Sequence, residues 1–309
     1  MTEGRTQGGS RTTLATGLLT VCLAMLTAGC ATTVSGPSSS AAGVVVFVIG
    51  TDAEQLYVRP IVLYENGRYT APPCPPDVSA AKQFAGTHLA ASRLLAIVSG
   101  GRRVGTATVI EGDPGPRDTC LALQRPVRVT LEGPAAIGAW NEALAVPLGA
   151  VHENPRRLHR FTLGQRHHPD DRLSRLLVGA GVPAIAAARL RVSGHALGRN
   201  GRDVLEIIEA HTEFDGARAS DDWHDVLLIR RGPDRQGRQE TLLAAHARTE
   251  AGRESQFCAT EVLDALDLDG DGELQIVVRF NCAEGVQYGL YAATGGVWQL
   301  VYRGAYYGL

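Results

Sequence analysis

The sequence DLDGDGELQIVVRF, residues 267–280, runs from an acidic, glycine-containing segment directly into an apolar, β-branched one. Carboxylates occupy alternate positions of the first segment, and Gly270 and Gly272 permit a sharp turn because glycine adopts positive φ without a steric penalty. The second segment, residues 274–280, has the composition of a buried β-strand. The stretch therefore predicts a tight loop that leads into a strand.

The whole C-terminal region, residues 187–309, continues this alternation of strands and turns. Asn200-Gly201 lies between two of its apolar segments and is typical of a hairpin turn. Many short strands separated by turns are typical of sandwiches and propeller blades. The pattern predicts a C-terminal antiparallel β domain, a sandwich or a partial blade-like repeat, with strands at residues 190–196, 204–209, 226–230, 241–247, 274–280, 287–292 and 297–303.

The region before residue 151 is predicted to form a second β-rich lobe, residues 44–150. Asn66-Gly67 marks a hairpin there, and a helix is expected from Val78. The predicted strands are residues 44–49, 94–99, 104–110 and 127–131. Residues 151–186, rich in Arg and His, are a predicted linker with a short helix at 169–178. The predicted fold class is mainly β, α+β overall, with two β-rich lobes.

The acidic segment is also the most specific chemical motif of the chain. Carboxylates at i, i+2 and i+4 in a tight loop can converge on one cation, and Ca²⁺ prefers six to eight such oxygen ligands. The predicted metal ligands are Asp267, Asp269, Asp271, Glu273 and Gln275. The alternative is an acidic β-turn whose carboxylates are solvated.

The loop differs from an EF-hand, because Val278 stands where the bidentate glutamate would be and a strand follows instead of a helix. It resembles the calcium loop of FG-GAP/VCBS-type repeats, with the pattern D-x-D-G-D-G-x-x-D/E before a strand. Gln275 replaces the last acid of that pattern. The resemblance implies a structural calcium site, and the amide at position 275 implies weaker binding.

The N-terminal residues 1–29 have the features of an export signal. Their apolar segment, residues 14–27, has the length of a signal-peptide core, roughly 7–15 residues, whereas a membrane span needs roughly 20. The small residues before Cys30 resemble the lipobox of bacterial lipoproteins, which implies lipidation of Cys30 and a lipid anchor in a bacterial membrane. Thr27 departs from the usual large aliphatic residue, and an ordinary cleaved signal is the alternative. Residues 30–43 have the composition of a flexible tether.

Four cysteines remain beyond residue 30, and export to an oxidising compartment favours two disulfides among them. Proximity along the chain favours the pairs Cys74–Cys120 and Cys258–Cys282. Four cysteines permit other connectivities, and free buried thiols are a further alternative. The absence of a C-x-x-C pair argues against a cysteine zinc site.

Composition narrows the functional classes. The chain has 309 residues, with 30 Lys and Arg against 32 Asp and Glu, so its formal charge of −2 offers no footprint for nucleic acid. His152 and His159 do not have the spacing of a zinc-protease helix, and no G-x-S-x-G elbow occurs. We therefore expect a lipid-anchored cell-envelope protein with an unknown envelope partner and a non-enzymatic structural or binding role.

Two alternatives remain open. The first is an exported hydrolase that acts on cell-envelope material and uses His152, His159 or His167 with Asp170. The second is a binding module for an envelope polysaccharide or protein. It would use the basic stretch 152–168 or the C-terminal aromatic residues Tyr288, Tyr291, Trp298, Tyr302, Tyr306 and Tyr307.

Overall fold

Antiparallel strands dominate the computed structural model, and the predicted mainly β class is confirmed. The structure describes residues 43–52, 55–74, 77–112, 120–132, 142–152, 157–161, 171–199, 202–213, 221–232 and 239–308. The predicted signal and residues 30–42 of the predicted tether lie outside this part of the chain. Within it, no helix is long and apolar enough to cross a membrane.

Seven strands form the first sheet: β1 (Val44–Asp52), β2 (Gln55–Glu65), β3 (Arg68–Thr70), β4 (Leu94–Ser99), β5 (Arg102–Val109), β6 (Arg125–Leu131) and β7 (Glu142–Pro147). Their order is β1-β7-β4-β5-β6-β2-β3, and β1 also pairs with β2, so the sheet closes on itself. Asn66 and Gly67 join β2 to β3 with φ of 51° and 75°, which is the predicted hairpin turn.

The helix α1 (Val78–His88) packs against the apolar side chains of the closed sheet. It begins at Asp77, whose carboxylate accepts a hydrogen bond of 2.9 Å from the Ala80 N–H. Phe84 of α1 shares a hydrophobic cluster with Phe47 of β1. The two faces of β1 pack against different parts of the protein. Phe47 lies in the cluster with α1, whereas its neighbours Val46 and Val48 lie in a second hydrophobic cluster.

The second sheet has five strands: β8 (Arg157–Phe161), β9 (Arg191–Arg199), β10 (Arg202–His211), β11 (Trp223–Arg231) and β12 (Glu240–Thr249). They lie in the order β12-β11-β10-β9-β8. Two helices, α2 (Asp171–Gly179) and α3 (Ala184–Ala187), cover one face of the sheet. Leu177 of α2 packs there with Val226 and Leu228 of β11.

The third sheet has four strands in chain order: β13 (Cys258–Leu266), β14 (Gln275–Cys282), β15 (Gly285–Thr294) and β16 (Val297–Gly308). Both of its faces are buried. Val277 of β14 packs against the closed sheet, whereas Ile276 and Val278 pack against the second sheet. The third sheet therefore lies between the other two, and the two predicted lobes share a hydrophobic cluster.

One of the two predicted disulfides is formed by residues that the structure describes in full. Cys258 and Cys282 lie opposite each other at the open end of the β13–β14 pair and form a disulfide, with Cα atoms 4.0 Å apart. Cys74 is disulfide-bonded. The side chain of Cys120 lies outside the described residues, so the pairing Cys74–Cys120 stays a prediction.

Candidate metal centre

The acidic loop, residues 267–274, joins β13 to β14 at the end of the strand pair opposite to the disulfide. Gly270 and Gly272 have φ of 76° and 88°, the positive values for which glycine is suited. Leu268 and Leu274 on either side are buried, so they anchor the loop in the core. The loop is therefore a fixed turn with its polar tip at the surface.

Three carboxylates converge at this tip. One oxygen each from Asp267, Asp269 and Asp271 lies within 4.8 Å of the others. Asp267 is buried, with 8% of its surface exposed, whereas Asp269 and Asp271 are exposed. Oxygens gathered in this way suit a hard cation such as Ca²⁺. The structure thus brings together three of the five predicted ligands.

Hydrogen bonds within the loop fix the directions of these carboxylates. Asp267 Oδ1 accepts from the Gly270 N–H at 2.8 Å, and Asp267 Oδ2 accepts from the Gly272 N–H at 3.1 Å. Asp271 Oδ1 accepts from the Glu273 N–H at 2.7 Å. Each carboxylate oxygen has a second lone pair for a cation, because an ionised carboxylate accepts about four hydrogen bonds.

The other two predicted ligands are placed differently. Glu273 is not in the converging cluster. The buried Gln275 side chain closes the base of the loop, because its Oε1 accepts from the Leu268 N–H at 2.9 Å and its Nε2 donates to the Glu273 carbonyl at 3.3 Å. Gln275, which stands where the FG-GAP/VCBS-type pattern has its last acid, thus holds the loop backbone by hydrogen bonds.

Two side chains from the N-terminal half touch the loop. The Tyr64 hydroxyl donates to Asp269 Oδ2 at 3.2 Å, and a Cβ on Gly270 would lie 3.1 Å from the His152 ring. Burial raises the pKa of Asp269, and the charge of Asp271 adds to this shift. A cation bound here would offset that repulsion and connect β14 with the closed sheet.

Most of the hydrolase candidates lie outside the described side chains. This applies to His159, His167 and Asp170, whereas His152 is exposed beside the acidic loop. A hydrolase site at these residues therefore stays a prediction.

Five of the six C-terminal aromatic residues are buried in the core: Tyr288, Tyr291, Trp298, Tyr302 and Tyr307. The Tyr302 hydroxyl donates to the Ile61 carbonyl at 2.7 Å, and the Tyr307 hydroxyl donates to the Pro60 carbonyl at 2.6 Å. These contacts join β16 to β2. Tyr306 is 45% exposed. Because the other five are buried, the six aromatic residues do not form a contiguous face on which a ligand could stack.

Buried carboxylates along β13 were missed by sequence reasoning. Asp225 accepts from the Thr260 N–H at 2.8 Å, and Glu209 accepts from the Val262 N–H at 2.6 Å. These side chains satisfy backbone donors on the edge of β13 that faces away from β14, as a neighbouring strand would. They come from β10 and β11, so no local pattern in β13 could have identified them.

Asp264 follows an irregularity in β13 and binds the β4–β5 turn. Its carboxylate accepts from the N–H groups of Gly100, Gly101 and Ala265 at 2.9, 3.1 and 2.7 Å. The same residue therefore fixes the strand that enters the acidic loop and the turn of the closed sheet beside it.

Asp264 predicts an unusual pH dependence of stability. Burial raises the pKa of its carboxyl from 3.8 to about 6, although the three N–H donors oppose this shift. The folded protein therefore binds this proton more tightly than the unfolded chain, so its contribution to stability grows as the pH falls through 6 toward 3.8. Between about pH 7 and pH 5 we expect the wild type to gain about 1 kcal/mol relative to Asp264→Asn.

Urea denaturation of both proteins at the two pH values measures this gain. Comparing the two proteins cancels the contribution of the titratable groups that do not interact with Asp264. A difference in unfolding free energy that is the same at both pH values would contradict the raised pKa.

No protein-family model, curated protein or solved structure matches this chain.

Proposed function

We propose that this chain is an exported, lipid-anchored protein of the bacterial cell envelope with a non-enzymatic structural or binding role, and that its acidic loop holds one structural Ca²⁺. The export signal, the lipobox-like residues before Cys30 and the tether support the location. The disulfide Cys258–Cys282 is compatible with an oxidising compartment.

The convergence of Asp267, Asp269 and Asp271 is the observation that carries the calcium proposal. Three carboxylates this close repel one another, and a divalent cation would cancel that repulsion. Because Tyr64 and His152 touch the same loop, the ion would also stabilise the junction between the third sheet and the N-terminal half.

A structural role fits the loop better than a catalytic one. Asp267 and Asp271 accept hydrogen bonds from N–H groups of the loop backbone, so both carboxylates help to hold the shape of the loop. The disulfide fastens the other end of the same strand pair. Calcium and the disulfide would thus fix β13 and β14 at both ends.

The lipid anchor predicts the outcome of metabolic labelling in a bacterial host. Cells grown with an alkyne fatty acid should label the wild type, and Cys30→Ala should lose the label completely because the acceptor is gone. Cys22→Ala is the matched control, since Cys22 lies within the predicted signal and should leave labelling unchanged. An unlabelled wild type, or label retained by Cys30→Ala, would contradict lipidation of Cys30.

A further inference from the structure

Two arginines of the second sheet and its helical layer converge on one neutral oxygen. Arg172, in the first turn of α2, donates from Nη2 to Gln239 Oε1 at 2.6 Å. Arg230, on β11, donates from Nη2 to the same oxygen at 2.7 Å. Two positive groups thus meet at an acceptor that carries no formal charge.

Among the described residues, the charged side chains next to this oxygen do not balance one another. Glu206 Oε2 lies 3.3 Å from Arg230 Nη1 and 3.9 Å from Arg172 Nη2, so these three side chains have a net charge of about +1. Burial lowers the pKa of Arg230, and the charge of Arg172 acts in the same direction while Glu206 opposes it. A negative group in place of the amide oxygen would relieve this repulsion.

Arg230 is built into the fold, whereas Arg172 reaches solvent. The Arg230 side chain is 6% exposed, and its Nε has no hydrogen-bond partner among the described residues. The Arg172 side chain is 59% exposed. The cluster therefore combines a fixed, buried guanidinium with a second one that is accessible to solvent.

Guanidinium groups bind anionic oxygens more strongly than amide oxygens, because charge-assisted hydrogen bonds are roughly twice as strong as neutral ones. The Gln239 side chain lies directly before β12 and is half-buried, so it can rotate away without breaking a strand. Its Oε1 marks the position at which an anionic oxygen would receive both arginines.

We propose that Arg172 and Arg230 form a binding subsite for an oxyanion, a phosphate or carboxylate group of a ligand, and that Gln239 occupies this subsite until the ligand displaces it. Binding is non-covalent and leaves the Arg230–Glu206 ion pair in place. The subsite lies on the second sheet and α2, so it is independent of the acidic loop.

Four variants test the subsite. Gln239→Ala removes the occupant, Gln239→Glu supplies a permanent carboxylate, and Arg172→Ala removes the accessible guanidinium. Arg231→Ala is the matched control, because Arg231 is also on the surface at 60% exposure but binds Glu240 at 2.8 Å instead of the subsite. Thermal midpoints are measured against increasing inorganic phosphate or acetate, with ionic strength held constant by sodium chloride.

Phosphate or acetate should raise the midpoint of the wild type, and Gln239→Ala should respond at lower concentrations because no side chain competes. The apparent affinity should fall roughly ten- to hundred-fold in Arg172→Ala and Gln239→Glu, and Arg231→Ala should match the wild type. A stronger response to phosphate identifies phosphate ligands, and a stronger response to acetate identifies carboxylates.

Two results would contradict the proposed subsite. They are equal responses in Arg172→Ala and Arg231→Ala, or no anion-specific response in either the wild type or Gln239→Ala. Gln239→Glu gives a readout without added ligand: its midpoint in chloride buffer should exceed that of the wild type, and a lower midpoint would contradict the charge imbalance.

Discussion

Calcium is expected to raise the free energy of unfolding of the purified protein by about 2.7 kcal/mol when free Ca²⁺ is about 100 times its Kd. The gain arises because the ion binds the folded loop, where three carboxylates converge, and not the unfolded chain. A chelator should remove it. Mg²⁺ should give a smaller increase in the free energy of unfolding, because it demands octahedral geometry and keeps several of its waters.

The loop offers a matched pair of variants for this prediction. Asp269→Asn removes one converging charge and should strongly weaken the calcium response, because the amide keeps an oxygen ligand but not the charge. It should leave the loop folded, because the shorter hydrogen bonds from the loop backbone go to Asp267, Asp271 and Gln275. Asp269 accepts a long one of 3.4 Å from the Asp271 N–H. Glu273→Gln changes an acid outside the cluster and should keep the response. Equal behaviour of the two variants would refute the assignment of the ligands.

Truncation of Tyr288 is expected to cost about 3–5 kcal/mol of stability, the range for a large aromatic side chain removed from a core. Tyr288 on β15 is fully buried in the cluster shared by the third sheet and the closed sheet. Its hydroxyl also donates to Glu142 on β7 at 2.9 Å. Tyr288→Ala should lower the chemical denaturation midpoint in a single transition, because both sheets lose the same contact.

Tyr306→Ala is the control for that truncation. Tyr306 lies on the neighbouring strand β16 and is 45% exposed, so its loss should cost less than about 1 kcal/mol. Two separate transitions for Tyr288→Ala, or similar costs for the two variants, would contradict a core common to the two sheets.

Local patterns in the sequence were sufficient for several elements. Asn66-Gly67 identified the β2–β3 turn because few other residue pairs accept positive φ at both positions. The apolar segment after the acidic loop became β14, and β4 lies at the predicted residues 94–99. In these cases the signal and the structure that it specifies lie within a few residues of each other.

Other features depend on partners distant in the chain. β13 includes Glu261 and Asp264 among its apolar residues, so its composition did not indicate a strand. β7 and β8 were missed as well. The contacts that close the edge of β13 span 35 and 53 residues, from Thr260 to Asp225 and from Val262 to Glu209. Packing of the third sheet between the other two is likewise decided by long-range contacts.

The candidate metal site was partly predictable for the same reason. The alternation of Asp267, Asp269 and Asp271 is local, and their convergence follows from it. The contacts of the loop with Tyr64 and His152 are not local, and neither is the convergence of Arg172 and Arg230 on Gln239. A pattern confined to one segment cannot report such contacts.

Direct calcium binding to the full-length folded protein tests the central claim most closely. Isothermal titration of the calcium-free wild type should give one Ca²⁺ per chain, and Asp269→Asn should bind the ion much more weakly. A wild type that binds no Ca²⁺, or an Asp269→Asn variant that binds it as tightly as the wild type, would contradict a calcium site at Asp267, Asp269 and Asp271.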